Sequence, residues 1–219
     1  MLSNKRSEAL LAKIREQLPL SGREKFNLIV ELSIPSMLAQ ITTVMMFFID
    51  ASMVGHLGAE ASASIGLIET TTWLMGSVMS AASIGFSVQV AHFIGANDFF
   101  KARQVFRHAI VCGLLFSFLM CTIGVVIHNP LPYWLGGGAD IAADSSVYFL
   151  IYSLTLPVVL LYHLMSAMQK SSGDMRIPSI LSIMLCILDV AFNYFYIYML
   201  ELGVMGAALG TMCAYIVTV

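Results

Sequence analysis

Hydrophobic residues occur in six long blocks that short polar segments separate. A helix needs about 20 apolar residues to cross the hydrocarbon of a bilayer, and the first five blocks meet that length. The pattern predicts transmembrane helices over residues 26–54, 61–94, 102–127, 146–168, 180–199 and 204–219. The last block reaches only about 24 Å at 1.5 Å per residue, short of the roughly 30 Å hydrocarbon. We therefore predict an all-α polytopic membrane protein whose sixth helix is truncated.

The segment before the first block is polar and mildly amphipathic. One helical face carries its apolar residues, Leu10, Leu11, Ile14 and Leu18. This pattern is typical of an interfacial helix, so residues 1–26 are predicted to lie at the cytoplasmic surface and residues 27–219 to form the transmembrane lobe. The longest outer connection, residues 128–145, contains Pro130, Pro132 and three consecutive glycines, which predict a loop.

Charge sets the orientation of these helices. All eleven Lys and Arg residues fall in segments on one side of the predicted membrane: Lys5, Arg6, Lys13, Arg15, Arg23, Lys25, Lys101, Arg103, Arg107, Lys170 and Arg176. Basic residues concentrate in cytoplasmic loops, so the N-terminus is predicted to be cytoplasmic in an inner or plasma membrane. Only 11% of residues are charged, against about 25% in soluble domains. The net charge of −2 gives no reason to expect nucleic acid, and the expected partner is membrane lipid.

Besides Glu31 near the start of the first predicted helix, three acids lie inside the predicted helices: Asp50, Glu69 and Asp189. A charge at the bilayer centre costs about 2.5–3.5 kcal/mol on insertion scales, so such residues usually have a function. Asp189 and Asn193 are four residues apart and therefore share one helical face. Carboxylate and amide oxygens suit Na⁺, and a low dielectric also favours a protonated carboxyl. The alternative is that each Asp hydrogen-bonds a neighbouring helix as a structural contact.

Several other residues are candidates for a cavity or a hinge. Pro35 and Pro157 lie inside predicted helices, where each removes a backbone hydrogen bond and gives either a hinge or a static kink. Met46 and Met53 suit an adaptable surface for varied ligands, and His163 is placed to line a cavity. The sequence contains no phosphate-binding loop and no Ser-His-Asp order, so ATP hydrolysis is not supported and we do not expect the chain to be an enzyme.

Four stretches in order resemble the N-terminal lobe of the multidrug and toxic-compound extrusion (MATE) family. They are Pro35 with Asp50 and residues 53–58; residues 89–98; residues 169–178; and residues 188–193 followed by 203–208. The resemblance implies one six-helix lobe of a twelve-helix antiporter that expels drugs, often cationic, in exchange for Na⁺ or H⁺. It also implies no cofactor and a C-terminal lobe of the same protein that is missing here.

The resemblance places a cation or proton site on Asp50, Asp189, Asn193 and Thr211, with Tyr148 nearby. Members with this site often have Asn before Asp on the fifth helix, whereas this chain has Asp189 before Asn193. The same two ligand groups are present, one helical turn apart, but their order along the helix is reversed.

Three alternatives to an antiporter exist. A lipid-linked oligosaccharide flippase of the same superfamily would need basic residues in its cavity, and no predicted helix centre carries one. An intramembrane aspartate enzyme would need Asp50 and Asp189 within reach of one water. A membrane scaffold would tolerate replacement of every acid.

Overall fold

A computed structural model of the chain describes residues 10, 12–14, 18, 19 and 21–219. From Ser21 onward these residues form helices joined by short turns. The helices are α1 (Gly22–Gly55), α2 (Ala59–Gly95), α3 (Phe99–Ile127), α4 (Leu131–Trp134), α5 (Ala139–Ser171), α6 (Arg176–Tyr194) with a π-helical turn (Phe195–Met199), and α7 (Gly203–Thr218). Five of them are long and apolar enough to span a membrane, and α7 is a shorter apolar helix. The predicted all-α bundle is confirmed.

The start of α1 is tied to the segment before it. The Ser21 hydroxyl accepts the Glu24 N–H at 3.3 Å, and the Glu24 carboxylate accepts the Ser21 N–H at 2.9 Å. This reciprocal arrangement satisfies two donors that a helix N-terminus leaves free. The same carboxylate pairs with the Lys13 ammonium at 2.7 Å.

The predicted interfacial helix lies partly outside the described residues. Residues 10 and 12–14 are helical, whereas Leu11 is not described. Leu10 is buried, but Ile14 and Leu18 are each about half exposed, so the apolar face is only partly covered.

The outer connection before α5 is more ordered than the loop predicted for it. Proline is tolerated in the first turn of a helix, where its missing N–H has no partner to lose, and Pro132 occupies that place in α4. Gly136 then adopts φ +86°, which turns the chain. The fourth long helix consequently begins at Ala139, seven residues before the predicted start at Ser146, with Asp140 in its first turn.

The centre of the lobe is α5. It packs against α2, α3 and α7, and half of its most apolar 18 residues are buried, against 6% in α1. Two hydrogen bonds fasten α5 to α2 near its two ends: Ser145 Oγ donates to the Ser64 carbonyl at 2.7 Å, and Ser171 Oγ donates to the Ser87 carbonyl at 2.9 Å. The fully buried side chains of Phe149 and Leu156 fill the space between them.

The first helix is attached differently. It packs mainly along α6 and makes few contacts with α2. Near the inner end Ser179 Oγ donates to the Pro35 carbonyl at 2.7 Å, and near the outer end Tyr198 Oη donates to the Met53 carbonyl at 3.1 Å. Helix α1 continues through Pro35, and α5 continues through Pro157. The predicted hinge role of these prolines stays a prediction. The separation of α1 from α2 leaves the space in which the candidate site lies.

A pH-dependent cap is expected at the start of α3. Asp98 Oδ1 accepts the Lys101 N–H at 3.0 Å, and Oδ2 pairs with the Lys101 ammonium at 3.0 Å. The backbone bond first, and then the ammonium, lower the pKa of the Asp98 carboxyl. The cap therefore contributes fully above the unfolded Asp pKa of about 3.9 and weakens as the pH falls through the lower folded pKa.

We expect amide exchange in the first turn of α3, corrected for the intrinsic rate, to speed up over that acid range. Asp98→Asn is the matched control, because Asn also caps helices but carries no charge. Equal pH dependence in the two proteins would contradict a role for the carboxylate charge.

Candidate functional site

Three of the predicted site residues meet between α1 and α6. The Asn193 amide Nδ2 donates to Asp50 Oδ1 at 2.9 Å and to Asp189 Oδ2 at 3.1 Å, so one amide links the two carboxyl groups. The second bond follows from the four-residue spacing of Asp189 and Asn193 on α6. Asp189 and Asn193 are 0% and 1% exposed. The structure therefore brings together two helices through a buried polar cluster, which we call the acid cluster (Asp50, Asp189 and Asn193).

Two hydrogen-bond acceptor atoms of the acid cluster are unpaired. Asp189 Oδ1 and Asn193 Oδ1 are buried, and neither has a hydrogen-bond partner among the described residues. A buried polar atom left unpaired costs about 1–3 kcal/mol, so both atoms would gain from a donor or a positive charge. A proton on a carboxyl group supplies a donor, and a hard cation such as Na⁺ takes carboxylate and amide oxygens as ligands. The cluster is thus chemically suited to either.

Two glycines let α7 approach the acid cluster closely. A Cβ atom added to Gly210 would collide with Asn193 Oδ1 and lie 2.8 Å from the Asn193 backbone nitrogen. A Cβ added to Gly206 would lie 2.9 Å from the Tyr196 carbonyl in the π-helical turn. Gly206 and Gly210, four residues apart on α7, therefore permit close helix packing. Their packing partner is the segment that carries Asn193.

A cavity of about 530 Å³ opens beside the acid cluster, between α1, α2, α5, α6 and α7. Most of the predicted site residues line it: Met46, Asp50, Glu69, Tyr148, His163, Asn193 and Thr211. Asp189 lies behind Asn193 and is fully covered. Residues predicted for the cation site and residues predicted for a cavity therefore line the same cavity, although their positions do not test their roles.

Met53 is placed elsewhere. It packs in an apolar cluster with Val54, Ile197 and Ala207 and is not among the residues that line the cavity. Val54 and Ala207 of this cluster line the cavity, whereas Met53 does not. The expectation that Met53 faces a ligand is not supported by this packing.

Sequence reasoning missed the aromatic wall of the cavity. Phe47 and Trp73 stack across the gap between α1 and α2, with ring centroids 5.1 Å apart and planes tilted by 32°. Deeper in the cavity, Tyr162 contacts Tyr215 at 5.4 Å edge to face, and its hydroxyl lies 3.1 Å from Ser182 Oγ. The sequence could have placed Trp73 in the same wall as Glu69, because residues four apart on a helix share one face.

The cavity wall contains acidic side chains. Its acidic residues are Asp50 and Glu69, and among the described residues that line it none is Lys or Arg. A concave, low-dielectric site with one sign of charge concentrates ions of the opposite sign. This wall therefore favours cations over anions.

Comparison with known proteins gives consistent matches. The MatE family model matches residues 35–195. The chain is 24% identical over 195 residues to "Multidrug export protein MepA" of Staphylococcus saprophyticus, covering 88% of this chain and 43% of that protein. It is 26% identical over 205 residues to "Probable multidrug resistance protein NorM" of Thermotoga maritima, covering 90% and 42%.

A crystal structure of MATE in the straight conformation has the same fold. It superposes with a TM-score of 0.83 at 23% identity, covering 88% of this chain and 43% of that one. The chain thus spans less than half the length of each relative it matches.

Proposed function

The chain belongs to the MatE family, and on that premise we propose that it is one lobe of a secondary antiporter that expels drugs and toxic organic compounds, often cationic, in exchange for Na⁺ or H⁺. It is a multi-pass membrane protein. We place its N-terminus in the cytoplasm and the protein in the inner or plasma membrane, because all of its Lys and Arg residues fall in the segments predicted to lie on one side. A C-terminal lobe of the same protein completes the transporter in this proposal.

One observation carries the proposal. The acid cluster holds two carboxyl groups on one amide and keeps two buried oxygens unpaired, and it adjoins a cavity large enough for an organic molecule. A small ion and an organic substrate thus have neighbouring sites whose occupancy is coupled through Asp50, which belongs to both the cluster and the cavity wall.

The residues then have the following roles. From the outward-facing state, Na⁺ or a proton binds Asp50 and Asp189, with the Asn193 and Thr211 oxygens as further ligands and Tyr148 beside them in the wall. Neutralising the carboxyl groups lets α1 bend near Pro35 and close against α2, and the substrate leaves. Few contacts between α1 and α2 oppose such a movement. The ion drives the step only as far as it binds one conformation more tightly than the other.

The other functions have less support. A lipid-linked oligosaccharide flippase needs basic groups for a pyrophosphate, and the described residues of the cavity wall include no Lys or Arg. An aspartate enzyme needs two carboxyl groups that share one water. Here the two carboxyl groups share the Asn193 amide nitrogen as a common hydrogen-bond donor.

Transport by the complete protein tests the proposal. We expect vesicles containing this lobe together with its second half to move a fluorescent cationic dye when either a Na⁺ gradient or a pH gradient is imposed, and not when both are absent. The two gradients are imposed separately, so that the response identifies the coupling ion. Dye movement that ignores both gradients would contradict ion exchange. Empty vesicles under the same gradients are the control.

A further inference from the structure

A part of the cavity wall has no role in the acid cluster. It consists of Glu69 and Trp73 on α2 and of Phe47 on α1, and we call it the aromatic subsite. We propose that the aromatic subsite holds a planar organic cation by ring stacking and charge, separately from the small ion that the acid cluster binds. This inference deepens the proposed function and names the recognition site for the substrate.

The geometry of the rings supports stacking. Glu69 and Trp73 lie one helical turn apart and point the same way, and Phe47 stacks on Trp73 from the facing helix. Both rings remain open, since Trp73 is 55% and Phe47 40% exposed. By contrast, the ring of Phe149 in the core beside α5 is fully covered. An exposed indole face is the preferred surface for an aromatic or cationic guest.

The charge of Glu69 is uncompensated. Its backbone carbonyl accepts the Thr72 hydroxyl, but no ion pair involves its carboxylate within the described part of the chain. Glu69 follows the start of α2 at Ala59 by ten residues, which is about 15 Å along the helix. A carboxylate at that depth is costly unless water or a cation accompanies it. A bound organic cation would remove that cost.

The two sites differ in the size of ion they accept. The unpaired oxygens of the acid cluster are buried, and Asp189 is fully covered, so only a proton or a small cation fits there. The aromatic subsite lies on the open wall of the cavity and offers ring faces, which a small hydrated ion does not need. Each ion therefore has its own ligands within one lobe.

Tryptophan fluorescence gives a direct test in the complete, membrane-embedded protein. The chain contains two tryptophans, Trp73 and Trp134, and Trp134 is 68% exposed on the outer connection. With Trp134, and any tryptophan of the second half, replaced by Phe, Trp73 is the only reporter. We expect N-methylacridinium, a permanent planar cation, to quench it saturably. Acridine at alkaline pH, which has the same shape without the charge, is the matched ligand.

The variant Glu69→Gln is expected to raise the Kd of N-methylacridinium about tenfold and to leave that of acridine unchanged, because only charge is removed. Phe47→Leu is expected to weaken the binding of both ligands, because ring stacking is lost. Glu60→Gln, on the same helix but not in the cavity wall, is the control and should change neither.

Two results would overturn the inference. One is an equal affinity for N-methylacridinium in Glu69→Gln and Glu60→Gln, and the other is an equal loss of affinity for both ligands in Glu69→Gln. The proposed antiport can fail separately. Binding that depends on Glu69, in a protein whose dye transport ignores Na⁺ and pH gradients, would support the subsite and reject ion exchange.

Discussion

Replacing Asp50 with Asn is expected to abolish ion-coupled efflux while the protein still inserts and folds. Asn keeps the size of the side chain and can still accept the bond from the Asn193 amide, so the packing of α1 on α6 survives. What disappears is the carboxyl group that neutralises on ion or proton binding, and with it the free-energy difference that the ion creates between conformations.

Coupling free energies in proteins usually correspond to affinity changes of at least about fivefold. We therefore expect the gradient-driven part of the efflux to disappear, so that the rate with the imposed gradient falls to the rate measured without it. The measurement is dye efflux with and without the imposed gradient, in variants matched for the amount of protein in the membrane. Asp144→Asn, an exposed carboxyl group near the outer end of α5, is the control and should retain full coupling. Full coupling in Asp50→Asn as well would reject the acid cluster as the coupling site.

Replacing Gly210 with Ala is expected to have the second-largest effect. The new methyl group would collide with Asn193 Oδ1, and the Asn193 backbone nitrogen lies only 2.8 Å from the new Cβ position. A side chain can rotate away but the backbone of α6 cannot, so α7 must move outward. Overpacking of this kind typically costs about 1–3 kcal/mol. The displaced amide would also release one or both carboxyl groups, so coupling and stability should fall together.

Thermal unfolding and gradient-driven efflux are the two measurements for Gly210→Ala. Gly85→Ala is its matched control, since Gly85 lies inside α2 and nothing lies within 4 Å of a Cβ added there. Alanine lowers the backbone entropy of the unfolded chain, so the stability of that variant should be unchanged or up to about 1 kcal/mol higher. If the two variants unfold alike, the close contact between α7 and Asn193 is not important for the fold.

The helices were predictable because a membrane imposes one simple rule. Residues in the hydrocarbon must be apolar and helical over about 20 positions, and the sequence satisfies this in five blocks. The pairing of Asp189 with Asn193 was equally predictable, because residues four apart on a helix always face the same way. Their meeting with Asp50 depends on the packing of α1 on α6, which no local pattern contains; the resemblance to the family supplied it.

The errors have physical causes. The prolines and glycines of residues 128–145 predicted a loop over that whole segment, but they end at Gly138 and α5 begins at Ala139. Asp140 in its first turn is favoured by the helix dipole. Trp73 and Phe47 belong to apolar blocks, where an aromatic residue facing a cavity and one facing lipid have the same sequence signal. Met53 was assigned to the cavity from its residue type alone, whereas the π-helical turn beyond Asn193 fills the space beside it.

The central position of α5 also has a consequence for biogenesis. The ribosome delivers α1, α2 and α3 before α5, yet α2 and α3 find much of their packing surface on α5. The buried polar group Ser64, whose carbonyl accepts the Ser145 hydroxyl of α5 in the finished lobe, therefore lacks that partner while the first three spans wait in the bilayer. We expect the nascent chain to stay beside the insertion machinery until the fourth span, α5, arrives, and assembly of this lobe to occur in one late step rather than helix by helix.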